Sequence, residues 1–236
     1  MLWLWKNLLI VLGWPNEKFV FEVTPELSAE VSAEIGDFHN ELRRRVAEGT
    51  YENYGAKWPG AKNMYRLAYS SHLASAAQYQ ANNCVFEHQA WRYGQNVCVV
   101  NSNSSDNVIR QCLRDWSNSN TFNWSLADEA PIFNETMGSS GHFIQMIWAK
   151  TTHVGCGIKN CSKNNRTTTL FVCNYYPPGN CIGQPIFKSG RKCRQREDCG
   201  DFEESNCETD GLCSTTFDRL AADKLPLFIE SDFDEL

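Results

Sequence analysis

Four cysteines near the carboxyl end of the chain are the residues whose types and spacing point most directly to chemistry. Cys193, Cys199, Cys207 and Cys213 lie within 21 residues, with few apolar side chains among them. Such a segment cannot bury a core of its own, so disulfides must stabilise it. A four-cysteine zinc site is the alternative, but the closely spaced Cys-x-x-Cys pairs typical of zinc sites are absent.

A histidine and two further cysteines lie in the preceding part of the chain. His142 comes before an apolar run, which favours a short buried helix or strand end with the histidine at its edge. Segments 154–158 and 170–175 are rich in β-branched and aromatic residues and are predicted to be strands. A disulfide between Cys156 and Cys173 is feasible if the register places their Cα atoms about 5.5 Å apart.

Composition excludes several classes of protein. The chain has 236 residues, eleven cysteines, eight tryptophans and a formal charge of −6. It is long enough for one ordinary domain with a small appendage, and it lacks the basic patch of a nucleic-acid binder. No stretch reaches the roughly 20 apolar residues that span a bilayer. The composition is that of a disulfide-bearing, soluble protein with no nucleic-acid partner.

Five glycosylation sequons fit an exported glycoprotein. The acceptor residues are Asn103, Asn123, Asn134, Asn160 and Asn165.

The two ends of the chain differ from its centre. Residues 1–23 contain a short apolar stretch and are predicted to be either a signal peptide or an N-terminal extension. Residues 216–236 contain no cysteine and are predicted to form an acidic, flexible tail. The last three, Asp234, Glu235 and Leu236, resemble an ER-retrieval signal, with an accidental acidic ending as the alternative.

The first predicted helix begins near Thr24, which would be its N-cap, with Pro25 in the first turn, and it ends near Gly49. An apolar series repeats along it at spacings of three or four: Leu27, Val31, Ile35, Phe38, Leu42 and Val46. Its polar side is predicted to be a solvated face rather than an anion site, and it carries His39, Asn40, Arg43, Arg44 and Arg45.

Further helices are predicted from Met64 towards Cys84 and over 106–117, and residues 94–96 are predicted to form a turn. Residues 118–140 form a polar excursion that Trp124, Ile132 and Phe133 would anchor. Helices followed by strands indicate an α+β fold in which helices cover a small sheet.

Four separated motifs resemble the CAP superfamily of cysteine-rich secretory, antigen 5 and pathogenesis-related 1 proteins. They are FHNELRR, the segment from NMYRLAY to CVFEH, GHFIQMIW with THVGCGIKNC, and FVCNYYPPGNCIG. The loops are most similar to those of nematode venom-allergen-like or activation-associated secreted proteins. The resemblance implies a three-layer α-β-α sandwich over 24–190, followed by a cysteine-rich hinge at 191–215.

The resemblance also implies a central cleft in which two histidines and two glutamates can hold a divalent metal. His88 and His142 match the histidines. The glutamate positions are Gln95 and Ser119 here, so the tetrad is degenerate unless Glu129 or Glu135 substitutes. We therefore expect no required cofactor and at most weak binding of a metal such as zinc by the two histidines. The alternative is that both histidines bond polar groups that line a buried cleft.

Loss of both carboxylates removes the best candidates for a general base, so no catalytic residue is assigned. A serine–histidine pair, Ser119 or Ser140 with His142, is the remaining catalytic option, but no orienting acid or oxyanion hole accompanies it.

Cysteine pairing carried over from the resemblance joins Cys84 to Cys161 and Cys156 to Cys173. In the hinge it joins Cys193 to Cys207 and Cys199 to Cys213. Of the three cysteines that are left, Cys98 and Cys112 are predicted to pair. Cys181 is then the spare thiol, which could link two chains into a homodimer.

Two functions follow from these expectations. The first is a secreted, non-enzymatic protein that binds a sterol or fatty acid, a host protein, or both, with an immunomodulatory role implied by the resemblance. The second is a metal-assisted or serine-dependent hydrolase that uses the central cleft. Retention in the ER through the C-terminal residues is an alternative to secretion.

Overall fold

A computed structural model describes residues 27–53, 56–89, 93–101, 105–121, 131–163 and 166–216. Four α-helices lie within these ranges: α1 (Ala29–Glu48), α2 (Ser71–Asn82), α3 (Ser105–Asn118) and α4 (Gly141–Ile147). The strands are β1 (Glu52–Asn53), β2 (Ala56–Lys57), β3 (Ala68–Tyr69), β4 (Gly94–Val100), β5 (His153–Lys163), β6 (Arg166–Tyr176), β7 (Ser205–Cys207) and β8 (Cys213–Thr215). None of these helices is long and apolar enough to cross a membrane.

The central sheet has the strand order β3-β5-β6-β4, in which β5, β6 and β4 are antiparallel neighbours. Helix α2 covers one face, where Asn174 of β6 donates to the Leu73 carbonyl. Helices α1, α3 and α4 cover the other face, where the next residue, Tyr175, bonds to His39 of α1. The predicted α+β, three-layer α-β-α fold is confirmed.

Helix α1 starts later than the sequence predicts. Leu27 lies in a bend, and the Ser28 side chain accepts a hydrogen bond from the Val31 N–H, so Ser28 is the N-cap and the predicted start at Thr24 is wrong. The predicted end is right, because Gly49 adopts the left-handed conformation that closes many helices.

The polar side of α1 is not the solvated face that its residue types predict. His39 and Arg43 are fully buried and Asn40 nearly so. The Arg43 guanidinium donates to the carbonyls of Tyr65 (2.6 Å), Met146 (2.9 Å), Ala149 (3.0 Å) and Thr151 (3.0 Å). Of the predicted cluster, Arg44 is half-buried and Arg45 exposed. Arg43 thus binds backbone carbonyls, and not an anion or solvent.

Helix α2 lies directly on β5 because two glycines remove side chains from the contact. A Cβ at Gly155 would lie 2.3 Å from the Ala74 nitrogen, and one at Gly157 would lie 2.4 Å from the Gln78 nitrogen. The helix begins at Ser71, so its predicted start near Met64 is wrong. Met64 and Leu67 are instead buried in an irregular segment that leads into β3.

Five disulfides stabilise the fold, and they join the same pairs that the sequence analysis names. They are Cys84–Cys161, Cys98–Cys112, Cys156–Cys173, Cys193–Cys207 and Cys199–Cys213. Cys156 faces Cys173 directly across β5 and β6. Cys181 keeps a free, exposed thiol.

The hinge packs against the rest of the protein around one aromatic side chain. Tyr65 is fully buried, and its hydroxyl donates to the Cys199 carbonyl (2.6 Å) and lies 2.9 Å from the Ser205 hydroxyl. The Cys213 N–H donates to the Met64 carbonyl, and the Arg66 N–H to the Cys213 carbonyl. The hinge therefore forms backbone hydrogen bonds with the sandwich. Its own interior consists largely of disulfide sulfurs.

Zinc does not suit the hinge cysteines. The sulfurs of Cys193, Cys199 and Cys207 lie within 4.8 Å of one another, but all three belong to disulfides and cannot act as thiolate ligands.

Some sequence predictions fall outside the described residues: the extension at 1–23, the tail beyond residue 216, Trp124, Glu129, Asn103, Asn123 and Asn165. Of the other two predicted loop anchors, Phe133 is buried as expected. Ile132 is 45% exposed, so its prediction as an anchor is wrong. Ile132 lies opposite Pro185 in an isolated antiparallel bridge, and because successive side chains of an extended segment point to opposite sides, Ile132 points outwards while Phe133 points inwards.

Candidate functional site

Two of the four predicted cleft residues come together. His142 is the second residue of α4, and His88 lies in the segment that follows α2. Their ring centroids are 6.2 Å apart, with 38° between the ring planes. Two imidazoles that bind one tetrahedral zinc ion at about 2.0–2.1 Å have ring centroids about 5 Å apart, so this pair is about 1 Å too wide for that geometry. The two rings are nevertheless close enough to contact the same small ligand.

A row of rings runs from this pair into the core. The Trp116 ring lies 6.0 Å from the His142 ring and stacks on Phe171 at 5.4 Å, with 14° between those two planes. Exposure falls along the row, since His88 is exposed, His142 is half-buried, and Trp116 and Phe171 are buried. The row thus passes from an exposed imidazole at the surface to fully packed aromatic rings in the core.

Burial lowers the pKa of His142, and the neighbouring His88 lowers it further. Both effects disfavour the imidazolium form, so His142 is neutral at pH 7 and presents a lone pair.

Gln95 does not face the histidine pair. Residues 94–96 are the start of β4, so the predicted turn is wrong. Gln95 lies opposite Asn174, on the α2 side of the sheet, whereas His142 lies on the α4 side. Its amide nitrogen donates to the side-chain oxygens of Gln80 (2.8 Å) and Asn174 (2.9 Å), and its oxygen accepts from the Gln89 N–H (3.2 Å).

The neighbours of Gln95 fix the orientation of its amide. The Gln80 nitrogen donates to the carbonyls of Val85 and Glu87, so the Gln80 oxygen must face Gln95. The Asn174 nitrogen donates to Leu73, which turns the Asn174 oxygen to Gln95 as well. The oxygens of Gln80 and Asn174 are two acceptors that require a hydrogen-bond donor at position 95. An ionised glutamate at this position would have no hydrogen to donate. This amide cluster (Gln80, Gln95, Asn174) also holds the segment that carries His88.

Ser119 joins the end of α3 to the start of α4. Its hydroxyl donates to the Trp116 carbonyl (2.8 Å) and accepts from the Phe143 N–H (3.3 Å). Ser140 is buried and accepts from the Thr121 N–H. Among the described residues, no hydrogen bond joins either serine to the His142 imidazole, so no serine–histidine pair is formed in this geometry.

The described donors do not complete a metal site. Within the ranges that the structure covers, no third histidine, cysteine or carboxylate groups with His88 and His142 as potential ligands. Glu135 is exposed in the first turn of a short 3-10 helix (Glu135–Ser140). Catalytic zinc normally takes three protein ligands and structural zinc four. Two imidazoles alone therefore fit zinc poorly.

Sequence reasoning missed a buried polar chain formed by His39, Tyr175 and Asn96. The signal was present in the helix spacing, because His39 lies four residues after Ile35 and three before Leu42, on the apolar face of α1.

This fold, with its paired histidines and five disulfides, defines a class of disulfide-stabilised α-β-α proteins. The sequence profile described as the cysteine-rich secretory protein family matches residues 37–175. The chain belongs to that family.

Individual relatives agree with this assignment. The chain is 35% identical over 179 residues to venom allergen 5.02 of Dolichovespula maculata, a match that covers 69% of this chain and 78% of that protein. It is 33% identical over 188 residues to a cysteine-rich venom protein of Tityus serrulatus, covering 77% of this chain. That match spans only 45% of the Tityus protein.

Solved structures show the same fold. BmVAL-1 superposes with a TM-score of 0.70 at 27% identity, covering 81% of this chain and 97% of that one. NaASP2 with Zn2+ superposes with a TM-score of 0.66 at 26% identity, covering 81% of this chain and 100% of that one.

Proposed function

We propose that this protein is a secreted, non-enzymatic binding protein of the cysteine-rich secretory family. One observation carries the proposal: the side chains at both expected carboxylate positions, Gln95 and Ser119, are hydrogen-bonded to the scaffold. The site keeps two imidazoles, of which His142 is neutral at pH 7, but among the described residues no carboxylate or hydroxyl forms a hydrogen bond that would orient either imidazole for proton transfer. Such a site can hold a ligand without transforming it.

Secretion is supported by sulfur chemistry and by the relatives. Five disulfides persist only in an oxidising environment, and the matched relatives are venom proteins. Asn134 and Asn160, two of the predicted glycosylation sites, are exposed. Secretion should be unchanged when the last four residues are deleted, whereas increased secretion of the truncated chain would support ER retrieval.

The proposed ligand is a sterol or a fatty acid, a host protein, or both, with an immunomodulatory role. The family resemblance supports an apolar ligand, as most small-molecule sites have apolar linings, and the buried rings of Trp116 and Phe171 lie directly behind the histidine pair. Labelled cholesterol and labelled palmitic acid, each titrated against the folded and the reduced, unfolded protein, should show saturable binding of at least one to the folded form only. If neither saturates, the lipid part of the proposal is wrong and only a protein partner remains.

Zinc has only a minor role in the proposed function. NaASP2 was solved with Zn2+, and this chain keeps His88 and His142 as two candidate nitrogen ligands. With no described carboxylate beside them, we propose that zinc binds weakly and is not required for folding or ligand binding.

Replacing Gln95 with glutamate should destabilise the protein and should not create a metal site. The new carboxylate would face the oxygens of Gln80 and Asn174, and we expect a loss of about 1–3 kcal/mol in the free energy of unfolding at pH 7. Acid should relieve the loss, because the protonated carboxyl can donate again. Denaturant melts at several pH values and a zinc titration measure both effects.

The matched control for this change is Gln184→Glu, since Gln184 is exposed. It should leave stability within about 0.5 kcal/mol. Tighter zinc binding by Gln95→Glu at unchanged stability would contradict the proposal that position 95 is committed to the scaffold.

A further inference from the structure

A chain of hydrogen bonds runs through the core from α1 to α4, beneath the cleft. His39 Nδ1 lies 2.8 Å from the Ile35 carbonyl oxygen, and His39 Nε2 lies 2.9 Å from the Tyr175 hydroxyl. The Asn96 amide nitrogen lies 3.3 Å from the same hydroxyl and 3.1 Å from the His142 carbonyl. His39, Tyr175 and Asn96 are all fully buried. The chain therefore connects α1 to the backbone of the cleft histidine.

The partners fix the direction of each hydrogen bond. A carbonyl oxygen only accepts, so His39 Nδ1 carries a hydrogen and donates to Ile35. In the neutral imidazole, Nε2 then accepts, and the Tyr175 hydroxyl donates to it. The Tyr175 oxygen accepts from Asn96, whose second amide hydrogen goes to the His142 carbonyl. Each of these four hydrogen bonds has one donor and one acceptor only while His39 is neutral.

A proton on His39 would break the arrangement. Nε2 would become a second donor directed at the Tyr175 hydroxyl, which would have to turn its own hydrogen away. The charge would also lie in an apolar core beside the Arg43 guanidinium. Burial lowers the pKa of His39 to about 4, with a further lowering by Arg43 that the bond to Ile35 partly opposes.

The other elements packed against α1 offer no compensating charge. Tyr175 of β6, Asn96 of β4 and Tyr69 of β3 are uncharged at neutral and acidic pH. Helix α4 contributes the His142 carbonyl, with the His142 imidazole as its one titratable side chain. Helix α3 meets α1 through the exposed Arg110–Glu34 ion pair. His153 of β5 lies on the α2 side of the sheet, and no carboxylate contacts His39 among the described residues.

We propose that His39, Tyr175 and Asn96 form an acid-sensitive latch: at neutral pH they hold the start of α4 on the sheet, and proton uptake by His39 releases it. The latch would regulate the cleft to which ligand binding is assigned above. Its test needs no ligand, so failure of the latch and failure of that assignment are distinguishable.

The pH range follows from the direction of the pKa shift. A histidine in the released state titrates near 6.5, and the latched one near 4. Because the latched pKa is lower, the latch is fully closed above pH 6.5 and is lost as the pH falls towards 4. Between pH 6.5 and 4.5 the population of released α4 should rise on the order of 10- to 100-fold.

Amide hydrogen exchange of the full chain at pH 6.5 and 4.5, corrected for intrinsic exchange rates, tests the latch. We expect the protection of α4 amides to fall 10- to 100-fold in acid, while that of α2, on the opposite face of the sheet, is unchanged. An equal fall in both helices would indicate global destabilisation and would overturn the proposal. Unchanged α4 protection would overturn it too.

Two matched variants separate His39 from the cleft histidine. His39→Gln cannot take up a proton and should abolish the acid-dependent loss of α4 protection, whereas His142→Gln should retain it. If His142→Gln abolished the effect and His39→Gln retained it, the effect would belong to His142 and the proposal would be contradicted. If His39→Gln does not fold, an NMR titration of the wild-type histidines decides: a His39 that titrates near 6.5 while α4 stays protected contradicts the latch.

Discussion

Replacing Arg43 with methionine is expected to lower the free energy of unfolding by about 4 kcal/mol or more. The guanidinium is fully buried and donates to four backbone carbonyls, of which those of Met146, Ala149 and Thr151 lie at the end of α4 and just beyond it. Removing the donor leaves carbonyl oxygens buried without partners. This penalty exceeds the free energy that is gained because a charged guanidinium no longer has to be buried. Thermal and denaturant melts measure the change.

Arg45→Met is the matched control, because Arg45 lies on the same helix but is exposed, with its guanidinium 5.6 Å from the Tyr51 ring. It should cost less than about 1 kcal/mol. Arg43→Lys should lie between the two, since an ammonium keeps the charge but cannot reproduce the fork of donors. Equal stabilities of Arg43→Met and Arg45→Met would show that the carbonyl contacts of Arg43 contribute little.

Replacing Gly157 with alanine should destabilise the fold by about 3 kcal/mol, because the added methyl group has no space. Its Cβ would lie 2.4 Å from the Gln78 nitrogen and 2.5 Å from the Gln78 Cα, both of them backbone atoms of α2. The helix would have to move away from β5, which would also disturb the bonds of the Gln78 side chain to Ile158. Denaturant unfolding reports the loss.

Gly36→Ala makes the same chemical change in the middle of α1, where nothing lies within 4 Å of the added Cβ. It should raise the free energy of unfolding by about 0.5–1 kcal/mol, since alanine is the better helix former. Opposite signs at the two glycines are the expected result. A Gly157→Ala protein as stable as the wild type would refute the close contact between α2 and β5.

Much of the fold could be predicted because its signals are local. The end of α1 at Gly49, helix α3 and the two long strands follow from apolar spacing and from turn residues. The burial of His39 and Arg43 was not predicted, because residue type was weighed above position. Both lie on the apolar face of α1, but only the tertiary structure supplies the carbonyls and the hydroxyl that make their burial tolerable.

The site was predicted less completely than the fold. The proximity of His88 and His142 was expected from a family resemblance and agrees with the geometry. The orientation of the Gln95 side chain was not expected, because its partners Gln80 and Asn174 lie 15 and 79 residues away in the chain. The sequence shows that position 95 lacks a carboxylate. Only the contacts of Gln95 with distant segments show that its side chain is part of the scaffold.

Hydrolysis assays test the central claim, that the cleft binds without catalysing, most directly. Initial rates on a chromogenic nitrophenyl ester and on a fluorogenic peptide would be measured with and without added zinc for the wild type, His142→Gln and His72→Gln. The account predicts rates equal to buffer in all three proteins. Turnover by the wild type that is lost in His142→Gln but kept in His72→Gln would contradict it and would establish a hydrolase centred on His142.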